Sequence, residues 1–132
     1  MVIVRVTVDV SVGELIDRIT ILKIKARRLP PACRGDVRRE LAAARTMRDR
    51  VLLSSKRLKT LARALETVNC RLWEVEEALR KCERTGRFGL RFVALARTVY
   101  KTNDRRAALK REVDRLSGSE IREHKSHPLP SI

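Results

Sequence analysis

Residues 58–82, LKTLARALETVNCRLWEVEEALRKC, decide the fold. Leu58, Leu61, Leu65, Val68, Leu72, Val75, Leu79 and Cys82 alternate three and four apart without a miss, the spacing of a heptad seam along one long helix. After Thr85 and Gly86 the pattern restarts at Phe88, Phe92, Leu95 and Val99. It places Thr102 and Arg106 at two seam positions and resumes with Leu109, Val113 and Leu116, with Gly118 placed as a C-terminal cap. A short turn between two seams of similar length makes them antiparallel neighbours, each up to about 40 Å long at 1.5 Å per residue. The predicted fold is therefore mainly α, a long antiparallel helical hairpin packed with one or two further helices.

Upstream of the hairpin, Asp36 reads as the cap of a helix with Val37, Leu41, Ala44 and Val51 inward and arginines outward, weakening near Ser54 and Ser55. Before it, Ser11-Val-Gly-Glu14 spells a capping box, in which the Ser11 hydroxyl accepts an early N–H and Glu14 reaches back to the Ser11 amide. The helix it opens repeats Leu15, Ile19, Leu22, Ala26 and Leu29 on one face and is stopped by Pro30 and Pro31, leaving Cys33 to Gly35 as a loop. Residues 2–10 set Val2, Val4, Val6, Val8 and Val10 against Ile3, Arg5, Thr7 and Asp9, a period-2 pattern that predicts a short N-terminal β-strand. Such a strand needs a partner, either the tail near Ile121 to Lys125 or a second copy of the chain. At 132 residues the chain has room for one domain, expected over residues 1–126, with Pro128 and Pro130 marking 127–132 as a flexible tail.

The net charge is +15, and residues 23–63 hold 14 Lys or Arg against Asp36, Glu40 and Asp49. A basic stretch of this kind suits nucleic acid or another polyanion. With 23 arginines to 8 lysines in an alanine-rich chain, it equally suits a solvated helix face. Aromatic residues are absent from 23–63, which argues against base stacking there and leaves only phosphate contacts. No stretch approaches the roughly 18 apolar residues of a membrane span, and the apolar start lacks a basic leader, so a cytoplasmic location is expected. Cys33, Cys70 and Cys82 are odd in number and read as reduced, buried thiols.

If the hairpin closes near residue 86, residues whose numbers sum to about 171 face each other. Asn69 then lands beside Thr102 and Asn103, with Asp104 and Arg106 flanking them, and Glu76 comes within reach of Arg97. One reading is a buried polar layer that fixes register. The other is a small polar site walled by Glu76, Arg97, Tyr100, Asn103 and Asp104 and completed by Glu14, Asp17 or Thr20 of the first helix. Trp73, Phe88, Phe92 and Tyr100 read as core filling. There is no phosphate-cradling glycine loop and no zinc-spaced cysteine pair, and His124 and His127 sit in the tail. No catalytic residue, cofactor or metal is predicted, although an all-helical enzyme built from arginines and a carboxylate stays compatible with the chain.

The stretches VSVGELIDRITIL (10–22), LWEVEE (72–77), ARTVYKTNDRRA (96–107) and GSEIREHKS (118–126) closely resemble a bacterial family designated domain of unknown function 6165, over nearly the whole chain. Lys23, His124 and His127 depart from its pattern. The resemblance implies that Glu14, Asp17, Trp73, Glu76, Arg97, Tyr100, Asn103 and Asp104 are motif positions, and it hints at a setting near surface-polysaccharide glycosyltransferases. The expected function is a non-catalytic interaction or scaffold protein that self-associates or docks on a protein partner. The alternatives are polyanion binding through 23–63 and a small-molecule site at the Glu76, Arg97 and Asn103 wall.

Overall fold

A computed structural model describes residues 4–118 as four helices: α1 (Val12–Arg28), α2 (Pro31–Val51), α3 (Lys56–Thr85) and α4 (Leu90–Ser117). The two long seams form the predicted hairpin. Ser55 caps α3 by accepting the Leu58 N–H at 3.1 Å. Gly86 ends it in the left-handed region at φ 67°, where the Arg87 N–H reaches back to the Cys82 carbonyl at 2.9 Å. Near the other end of the hairpin, Arg57 of α3 pairs with Glu112 of α4 at 3.2 Å, close to the predicted facing rule.

The remaining two helices make a second, shorter hairpin. α1 stops at Arg28 because Pro30 and Pro31 follow. The chain then turns straight into α2, which begins at Pro31, whereas the sequence reading placed a loop at Cys33 to Gly35 and a cap at Asp36. Proline at the first helical position explains the difference: its missing N–H is one that a helix start leaves unpaired, and its φ is already helical. Asp36 lies inside α2, ion-paired with Arg39; of the three cysteines, Cys33 is exposed rather than buried, Cys70 is half-buried and Cys82 is buried.

α1 is the central element. It packs on α2, α3 and α4, while α2 packs on α1 alone. The core follows from this, with Ile16, Ile19 and Leu22 of α1 meeting Val37 and Leu41 of α2, Leu58, Leu61 and Leu65 of α3, and Leu109 and Val113 of α4. Enclosure on several sides also explains why Ile16 and Ile24, off the predicted α1 face, are buried while Leu15, Ala26 and Leu29 are half-buried.

The predicted N-terminal strand finds no ladder partner among the described residues. Val4, Val6, Val8 and Val10 stand exposed, Val6 at 82%. Alternation provides a strand with faces but not with a neighbour to accept its hydrogen bonds. The tail segment that was the intrachain candidate, Ile121 to Lys125, lies outside the described residues, as do His124, His127 and residues 127–132.

Candidate functional site

The polar residues gather where α1 crosses the base of the hairpin. Asp17, fully buried on α1, accepts Asn69 Nδ2 of α3 at 2.9 Å and Arg106 Nε of α4 at 2.9 Å on Oδ1. Its Oδ2 accepts Arg106 Nη2 at 2.5 Å. Thr20, one turn on, donates to the Asp17 carbonyl at 2.7 Å and accepts the second Asn69 Nδ2 proton at 2.8 Å. Three helices thus meet on one carboxylate held by a two-pronged guanidinium and an amide, the planar match that arginine makes with a carboxylate.

A second polar contact anchors the start of α1. The Gly13 N–H donates to Oδ1 of the fully buried Asp114 at 2.7 Å, and the Ser11 hydroxyl accepts the Glu14 N–H at 3.1 Å. Both acceptors satisfy amides that an α-helix leaves unpaired at its N-terminus. The Glu14 carboxylate turns to Lys110 Nζ at 2.6 Å. This close approach needs a glycine, since a Cβ at position 13 would lie 2.3 Å from the Lys110 carbonyl oxygen.

The residues singled out from sequence separate into two groups. Asp17 and Glu14 take part in these contacts, joined by Asn69, Arg106 and Thr20. Asn69 faces α1 rather than pairing with Asn103. Glu76, Arg97, Tyr100 and Asp104 are exposed, and Trp73 and Asn103 are half-buried. No ion pair joins Glu76 to Arg97, and Trp73 Nε1 donates to Glu77 on its own helix at 2.9 Å. Sequence reasoning missed Gly13, Lys110 and Asp114. The available signal was a Lys and an Asp four apart beside the α4 seam, with a glycine in the first turn of a helix that had no turn to make.

Chemically, the buried layer locks helices together. The oxygens of Asp17 are engaged by Arg106 and Asn69, so it offers no base to a substrate while those contacts last.

Glu66 forms a third junction, between α1 and α3, accepting Lys23 Nζ at 2.9 Å and Arg27 Nη1 at 3.1 Å. Burial pushes its carboxyl pKa up, but the hydrogen bonds and positive charge of Lys23 and Arg27 outweigh that and leave it below the ordinary 4.5. A carboxylate with a lowered folded-state pKa stabilises the fold above its unfolded value and loses that contribution as pH falls through the folded value. Glu66→Gln is therefore expected to reduce stability near neutrality by under about 1 kcal/mol, as for such partly exposed pairs, and to lower the melting temperature slightly. The gap from the unsubstituted protein should close in acid below about pH 4.5. Thermal melts of both proteins from pH 7 to pH 3 check this, and a gap constant with pH contradicts it.

Among the described residues no helix is long and apolar enough to cross a membrane, and no three His, Cys, Asp or Glu side chains cluster as a metal site. Comparison of the chain with models of protein families, with curated proteins and with solved structures finds no match.

Proposed function

We propose that the protein is a non-catalytic helical scaffold that pairs with a second copy of itself through the distal half of its α3–α4 hairpin. The supporting observation is how far α1 reaches. Its start sits at Asp114 and its end at Glu74, where Arg28 pairs with that carboxylate at 3.7 Å. Beyond Glu74, among the described residues, α3 and α4 run on as two helices alone. Two helices can bury only the seam between them, which here closes over Val75 and Cys82. The flanks stay open: Leu79, Phe92, Leu95 and Val99 are half-buried, while Phe88, Val93 and Tyr100 are exposed. Val93, Ala96, Tyr100 and Asn103 repeat three and four apart, a second stripe on α4 that none of the four described helices covers.

Charge on the two helices supports a second copy as the occupant. The distal part of α3 carries exposed Glu76 and Glu77 beside the Arg28-paired Glu74, followed by a mixed stretch of Arg80, Lys81, Glu83 and Arg84, and that of α4 carries exposed Arg91, Arg97 and Lys101. Two such arms packed antiparallel can set Glu76 and Glu77 of one against the Arg91, Arg97 and Lys101 flank of the other and close a four-helix bundle over the apolar stripe. The exposed valines 4–10 lie at the opposite end, before the α1 start that meets Asp114, and take no part in this contact. The resemblance to domain of unknown function 6165 carries the pathway side of the proposal, a bacterial scaffold working in the cytoplasm beside enzymes of envelope polysaccharide synthesis.

Sedimentation equilibrium is expected to show a reversible dimer. Val93→Glu combined with Tyr100→Glu, two exposed positions where charge costs the fold little, should give a monomer of unchanged helicity. An unsubstituted protein that stays monomeric at every concentration, or a doubly substituted one that still dimerises, overturns the reading.

A further inference from the structure

A cleft of about 380 Å³ opens between α1, the C-terminal end of α2 and the first turns of α3, well away from the hairpin arm. Its floor is apolar: Ile16 and Ile19 from α1, Leu58 and Ala62 from α3, and Leu52 from the connection between α2 and α3. Its rim is cationic, with Lys23, Arg45, Arg48, Lys59 and Arg63 against Asp49 and Glu66. Both acids are already engaged. Glu66 accepts from Lys23 and Arg27, and Asp49 accepts from Arg48 at 3.0 Å. Arg45 of α2 and Lys59 and Arg63 of α3 have no ion pair among the described residues, although they share one mouth.

We propose that this cleft binds a small anionic amphiphile, an apolar chain or ring ending in a phosphate monoester. The volume lies in the range of about 300–1,000 Å³ typical of ligand sites, and an apolar floor with a few polar groups converging at its edge is their usual make-up. The floor calls for a ligand with an apolar part, which a nucleic-acid backbone lacks. The rim calls for an anion, and three uncommitted cations from two helices suit the double charge and three oxygens of a phosphate better than a single carboxylate. The side chains that carry the site are Ile16, Ile19 and Leu58 for the tail and Arg45, Lys59 and Arg63 for the head.

The test uses octyl phosphate as the probe, titrated below its aggregation threshold into the full chain with labelled methyl groups. Shifts at the Ile16, Ile19, Leu52 and Leu58 methyls and a rise in melting temperature are expected. Arg45→Gln with Arg63→Gln should weaken binding by roughly tenfold per cation removed, as for hydrogen bonds to charged groups. These are exposed positions, so the fold should persist. Ala62→Phe, which fills the floor, should compete with the tail and weaken binding independently of the charge change. Absence of shifts at those four methyls overturns the proposal. So does equal affinity for octyltrimethylammonium, equal affinity for inorganic phosphate, or undiminished binding by the Arg45→Gln, Arg63→Gln protein.

Discussion

Gly13→Ala is expected to be among the most damaging single-methyl additions possible in this chain. The new Cβ would stand 2.3 Å from the Lys110 carbonyl oxygen, 2.9 Å from Asp114 Oδ1 and 3.0 Å from the Lys110 carbonyl carbon. Two of the three are backbone atoms of a regular helix and cannot swing aside as a side-chain end would. The relief available is for α1 to back away from α4, which stretches the 2.7 Å bond from the Gly13 N–H to Asp114 and leaves that buried carboxylate short of a donor. Overpacking costs about 1–3 kcal/mol. Loss of a hydrogen bond to a charged group adds about 1.5–3 kcal/mol. Their sum, about 2.5–6 kcal/mol, is a large part of the roughly 5–15 kcal/mol that holds a domain together. Urea denaturation of the two proteins checks it. Alanine is intrinsically the better helix former by about 1 kcal/mol, so a neutral or stabilised variant would show that α1 and α4 do not meet this closely. The arm beyond Glu74 lies past the end of α1 and far from Gly13, so dimerisation should survive in whatever fraction of the variant stays folded.

The hairpin was legible because its signal is long and local. Eight apolar positions from Leu58 to Cys82 leave one face for a helix to bury, and Gly86 is a residue that tolerates φ 67° at a helix end. The α1 cap at Ser11 was legible for the same reason. The placement of α1 was not. Facing rules place α3 residues against α4 residues, and they put Asn69 beside Asn103 because nothing in the chain says that a third helix enters at that level. Once α1 lies there, Asp17 and Thr20 are nearer partners for the amide, and Arg106, read as a seam position, becomes the cation of the layer. The Asp36 cap failed on a different ground: Pro31 is a stop for the helix before it and a start for the helix after it, and periodicity alone does not say which role wins. Strand alternation from Val4 to Val10 states a preference that the described residues leave without a partner. The cleft was invisible to sequence because its floor and rim come from three separate segments.

The second large effect concerns the carboxylate at the centre of the layer. Arg106→Met leaves Asp17, fully buried, with Asn69 alone in place of three N–H donors. An uncompensated charge in the interior costs about 3–5 kcal/mol. The sign reverses when both partners go. Asp17→Leu with Arg106→Met removes the charge along with its counter-charge, and apolar replacements of buried pairs are often neutral or better. Asn69 keeps Thr20 as an acceptor in that protein, so one of its two bonds survives. The doubly substituted chain should therefore be more stable than Arg106→Met alone, with a coupling free energy in the upper part of the roughly 0.5–3 kcal/mol range for contacting residues. Denaturant melts of the four proteins in the cycle measure it, and strictly additive losses would mean that the two side chains do not act as a unit. The cycle also separates stability from uniqueness. A layer that sets the level at which α1 docks should, when made apolar, let α1 slide by a turn along the hairpin, since Ile16, Ile19 and Leu22 can meet leucines at more than one level. Amide spectra of the doubly substituted protein are then expected to broaden or double for α1 residues while those of the distal arm stay sharp, and a single sharp set throughout would assign register to the apolar packing alone.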